Sequence, residues 1–135
     1  MKAYVVTGAL LGAAFVVACK GEPMNVESAH EAGRGTIAEY DAPIDQVWTA
    51  AHAAIRWANI GKPTDHQDNW HVITDPAAAD QVGIWLEAEG PTKTRARVIV
   101  MDDPTLPGPD EKDVQKDIGR ALALIAEGKP LDKRP

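Results

Sequence analysis

The chain has 135 residues, enough for one domain of ordinary size and too few for two. Its charged and hydrophobic fractions, 25% and 44%, are those of a folded protein and exclude an intrinsically disordered one. The net charge of −6 argues against a nucleic-acid binder, which needs a basic face for phosphates, and against electrostatic adhesion to anionic lipid.

Residues 1–19 read MKAYVVTGALLGAAFVVAC. Lys2 precedes an uncharged run that is too short and too rich in small residues for a membrane span, which needs about 20 apolar residues. A charged start, an apolar middle and small residues at the end form the pattern of a secretory signal. Its end, Val16-Val17-Ala18-Cys19, resembles the bacterial lipobox, with an aliphatic residue three before the cysteine and a small one just before it. The resemblance implies a signal peptide at 1–18 and a Cys19 that becomes residue one, diacylated on sulfur and acylated on nitrogen. Two or more acyl chains anchor firmly where one does not. Lys20, in place of Asp, resembles the sorting signal for the outer membrane of double-membraned bacteria, so the expected location is its periplasmic face. Cys19 is the only cysteine, so the domain must be stable without disulfides.

Residues 19–34 show no apolar periodicity and are expected to form a lipidated flexible tether. GTIAEYDAP is a short strand. PIDQVWTAAHAAIRWAN is the clearest helix: Pro43 suits a first helical position, Ile44, Val47, Trp48, Ala51, Ile55 and Ala58 fall on one stripe, and Gly61 stops it. KPTDHQDNWHVITDP is turn-rich, with room for a short strand, then strand-like over residues 70–74. DQVGIWLEAEG alternates, with Val82, Ile84 and Leu86 opposite Gly83, Trp85 and Glu87. TRARVIVMDD alternates again across the GPTK turn, which predicts a hairpin. A proline-rich loop leads to EKDVQKDIGRALALIAEG, a second amphipathic helix closed by Gly128 and Pro130. The tail, 129–135, is expected to fray.

The order β-α-β-β-β-α, with one further short strand allowed after the first helix, predicts an α+β fold over residues 35–128. Two helices with one apolar stripe each, and a sheet with one clean apolar face, make a two-layer sandwich. Its antiparallel sheet has four or five strands, and both helices pack on one face. DAPIDQVWTAAHAAIRWA, the alternating strands and TRARVIV before a final helix resemble the small domain of uncharacterised bacterial lipoproteins. They are also loosely similar to the helix-grip modules of BamC, an accessory lipoprotein of outer-membrane protein assembly. The likeness spans residues 35–127, rests on Pro43, Val47 and Trp48, and brings no catalytic residues with it.

His66 and His71, with Asp65 and Asp68 near them, carry metal-ligand chemistry in a spacing that matches no standard site; a solvated loop is the simpler account. Ser28 is the only serine and lies in the tether, and lipidation removes the only thiol, so the folded domain offers no such nucleophile. Glu87 and Glu89 share a strand face, where solvation is the ordinary fate of carboxylates. No catalytic residue and no cofactor is implied. The sheet face opposite the helices carries Trp85 and Ile99 beside Arg95, Arg97 and Glu87, the composition of a protein-contact patch. Three outcomes stay open: an exposed patch, one covered by the tether or the tail, or a different strand register. The expected function is a lipid-anchored envelope protein that contacts an envelope protein partner and binds no nucleic acid. The alternative is a periplasmic small-ligand or metal-binding lipoprotein.

Overall fold

The computed structural model describes residues 25–58, 63–66, 69–74, 81–101 and 110–135. The elements are α1 (Val26–Glu31), β1 (Thr36–Tyr40), α2 (Ile44–Ala58), β2 (Pro63–His66), β3 (His71–Thr74), β4 (Gln81–Gly90), β5 (Lys93–Met101) and α3 (Glu111–Ala126). The five strands form one antiparallel sheet in the order β1-β5-β4-β3-β2. This is the α+β sandwich that the alternation predicts, and β2 is the further short strand. Among the described residues no helix is long and apolar enough to cross a membrane.

Because successive strand side chains point to opposite faces, each strand supplies one set of residues to each side. One face carries Val72, Val82, Ile84, Leu86, Ala96 and Val98, all buried. They pack with Val47, Ala51 and Ile55 of α2 and with Val114, Ile118 and Ala121 of α3 in one core. The second face carries a separate cluster, Val26, Ala29, Ile73 and Ile99, with Trp85 and Met101 against it.

Polar ties fix the helices on the sheet. Gln115 of α3 donates through Nε2 to the Thr36 and Ala96 carbonyls, at 3.0 and 3.1 Å. The Tyr40 hydroxyl lies 2.8 Å from the Gln115 carbonyl oxygen and 2.5 Å from its Oε1. Burial raises the Tyr40 pKa above the usual phenol value. Asp110 caps α3 in a capping box with Asp113. Gly128, at φ +70°, ends it in a Schellman turn, with Lys129 N–H donating to the Leu124 carbonyl at 2.9 Å.

Two expectations are corrected. Within the segment expected as a tether, residues 26–31 are helical. Asn25 caps α1 through a capping box with Ser28, and Val26 and Ala29 are each 1% exposed against the sheet. Burial of those two side chains outweighs the weak propensity of a six-residue helix. The tail is likewise held: Trp57 Nε1 donates to the Leu131 carbonyl at 3.1 Å, and Arg134 reaches the buried Asp117 carboxylate at 2.8 Å. Cys19 and the signal segment lie outside the described residues.

Candidate functional site

The second sheet face is built in rows, since register places one residue of each strand side by side. One row crosses the whole sheet: Ile37 (β1), Arg97 (β5), Trp85 (β4), His71 (β3) and His66 (β2). The row above it is apolar, with Ile99, Gly83 and Ile73, and the row below is charged, with Glu39, Arg95 and Glu87.

The Trp85 indole lies over Gly83 on its own strand, where the missing Cβ leaves room for it. A Cβ at Gly83 would meet Trp85 Cζ3 at 2.4 Å and Cη2 at 2.6 Å. The indole is stacked between two imidazoles. His30 of α1 lies 4.2 Å away at 9°, His71 lies 5.7 Å away at 14°, and His66 stacks on His71 at 4.4 Å. Burial lowers the His30 pKa, helped by the positive charges of Arg97 and His71, while Glu31 acts the other way.

Arg97 fastens the chain leaving α1, donating through Nη1 to the Gly33 and Arg34 carbonyls at 3.2 and 2.9 Å. Arg95 bridges Glu87 at 3.4 Å and Glu89 at 2.5 Å, and Lys93 meets Glu39 at 3.3 Å. Glu39 and Glu89 share a hydrogen bond, which lowers the Glu39 pKa, with help from Lys93, and raises that of Glu89. Between α1 and this charged row opens a groove of about 320 Å³ lined by His30, Trp85, Leu86, Glu87, Arg95 and Arg97. Ile37, 48% exposed, stands beside it on edge strand β1.

The structure therefore brings Trp85, Arg95 and Arg97 together as the alternation implies, but not Ile99. Ile99 is 2% exposed under α1, because Val26 and Ala29 cover the apolar row. His30 and Gly83 are the site residues missed in sequence. A glycine two places before a tryptophan on one strand face is the readable sign of the second, whereas His30 has no signal beyond its place in α1.

His66 and His71 face each other across β2 and β3, but Asp68 lies outside the described residues and Asp65 points to the other face. There Asp65 Oδ1 meets His52 Nε2 at 2.6 Å and ties β2 to α2. Among the described residues no group of three metal-binding side chains converges. A second cavity, about 330 Å³, is lined by Trp57, Ala58, Asp113, Asp117, Arg120 and Arg134 at the tail. Ion pairs to Arg120 and Arg134, at 2.9 and 2.8 Å, occupy both Asp117 oxygens. No protein-family model matches the sequence, and no curated protein matches it.

Proposed function

We propose that the protein is lipid-anchored in a bacterial cell envelope through Cys19, on the periplasmic face of the outer membrane. Its domain is a non-catalytic module that contacts another envelope protein. The anchor rests on the Val16-Val17-Ala18-Cys19 lipobox pattern and on Lys20. The observation that carries the contact reading is the open groove with an aromatic wall, two arginines and the exposed Ile37 at its rim. Aromatic and arginine side chains are what protein contacts favour. Confinement to one membrane surface raises the effective concentration of neighbours, so a weak contact suffices.

Two measurements test this. Metabolic labelling with a palmitate analogue should mark the wild type and fail to mark Cys19→Ala; equal labelling of both removes the anchor. A photoreactive residue in intact cells at Glu87, in the groove wall, should give one discrete adduct, and the same residue at exposed Gln46 of α2 should give none. No adduct at Glu87 sinks the contact reading and moves the weight to small-ligand binding.

A further inference from the structure

The sheet ends on β1 at one side and β2 at the other, and the two edges differ. β2 opens on Pro63 and carries only polar side chains after it, devices that keep an edge from pairing. β1 has no proline, and its pairing with β5 runs without a bulge. Ile37, on this edge, is the one large apolar side chain that stands exposed among the described residues. The one charge on β1, Glu39, is held by Lys93 at 3.3 Å.

Register shows which backbone groups of β1 point outward. Leu86 N–H donates to the Trp70 carbonyl at 2.9 Å, so Leu86 turns its backbone groups toward β3, and its partner Ala96 turns toward β1. Val100, of the same parity on β5, agrees: its N–H points past the end of β1 and donates to Glu111 Oε2 of α3. Ala96 pairs with Ala38. Thr36, Ala38 and Tyr40 therefore bond to β5, while Ile37 and Glu39 turn both N–H and C=O to the open edge. Among the described residues no backbone or side-chain group bonds to those four.

We propose that β1 is the pairing edge of a symmetric dimer: two copies of the chain join antiparallel about a two-fold axis through Ala38 and continue one sheet into the other. In that register Ile37 lies opposite Glu39 of the second copy, and all four outward groups of each chain gain partners. An extended segment of another protein could satisfy the edge alone, but only a second copy also brings a second α3. Gln115 bonds to the Thr36 and Ala96 carbonyls, so α3 lies over the β1–β5 pair, half a strand spacing inside β1. Across the axis the two α3 helices then run about two strand spacings apart, roughly 10 Å, which is the distance of packed helices. The flank of α3 beside β1 carries Gly119, Ala123 and Ala126 at i, i+4 and i+7, with the Gly119 Cβ position 3.9 Å from the Tyr40 ring. Ala123 and Ala126 are exposed, and side chains this small let two helices meet. One short strand and one helix flank make a small interface, so the dimer is weak and depends on concentration.

The test is light scattering of the purified full chain, corrected for bound detergent and run with micelles in large excess over protein. Between about 5 and 500 µM the protein mass should rise from one chain toward two. Ile37→Lys places a charge on the edge, and Ala123→Lys places one on the α3 flank. Each should hold the mass at one chain over that range, with the far-ultraviolet circular dichroism and urea midpoint of the wild type. Thr64→Lys, on the opposite edge, should dimerise as the wild type does. A wild type that stays monomeric overturns the proposal and leaves the β1 edge to an extended segment of another protein. A dimer that persists in Ile37→Lys or Ala123→Lys, or is lost equally in Thr64→Lys, overturns it as well. Neither the lipid anchor nor the groove enters these readouts, so the dimer stands or falls separately from the proposed function.

Discussion

Gly83→Ala is the sharpest single perturbation of the second sheet face. In most strands this change is mild or helpful, because glycine loses more chain entropy on folding, and alanine regains about 0.5–1 kcal/mol. Here the new Cβ would sit 2.4 Å from Trp85 Cζ3, 2.6 Å from Cη2 and 3.2 Å from Val26 Cβ. The indole must lift or swing. It then loses its stack on His30, worth about 0.5–1.5 kcal/mol for an aromatic pair, and disturbs the seat of Val26. Overpacking of a well-filled site costs about 1–3 kcal/mol, so the net expectation is a loss of about 1–2 kcal/mol.

Urea unfolding followed by circular dichroism reads the total, and hydrogen exchange of residues 26–32 reads the seat of α1. The decisive comparison is a double-mutant cycle. With Trp85→Ala already in place only the milder contact with Val26 Cβ at 3.2 Å remains, and Gly83→Ala should lose most of its penalty. A penalty of the same size in both backgrounds would refute the argument, since it would locate the cost in the strand and not in the indole.

Other perturbations should be as directional. Gln115→Ala removes a side chain that serves two strand carbonyls and the Tyr40 hydroxyl, and should cost about 1–3 kcal/mol in urea unfolding. Because the folded Tyr40 pKa is raised, its contribution is complete below the free-phenol value and declines as pH rises above it. Stability should therefore fall from pH 9 to pH 11 more steeply in the wild type than in Tyr40→Phe. Asp117→Ala unpairs Arg120 and Arg134, both half-exposed, so the stability loss should be modest, about 1–2 kcal/mol. Its plainer sign should be faster tryptic cleavage after Lys133 as the tail lets go.

What was legible in the sequence follows from how many residues repeat a pattern. β4 and β5 alternate over 10 and 9 residues, and α2 and α3 carry apolar stripes over 15 and 16, so these elements announce themselves. β2 does not, because all four of its residues are exposed and it is a strand only through pairing with β3. For α1 the signal is present but brief. Asn25 and Ser28 form the cap and Val26 and Ala29 the buried side, too few positions to establish a period. The direction of Trp85 was readable from alternation; what lies over it was not, since that depends on a segment whose own pattern is below the threshold of detection.

The three rows of the second face explain why α1 stops where it does. Moving along the strands, the face passes from Ile99, Gly83 and Ile73, through Arg97, Trp85 and His71, to Glu39, Arg95 and Glu87. A short helix gains by covering the first row, where apolar area is removed from water at no polar cost. It would lose by covering the third, whose charges are paired with one another across the strands and stay solvated. The middle row is amphipathic, and there α1 contributes a single ring, His30, and then turns away under the hold of Arg97. The groove and the short helix are thus two results of one gradient: the edge of the apolar row sets both the limit of intramolecular cover and the start of the groove.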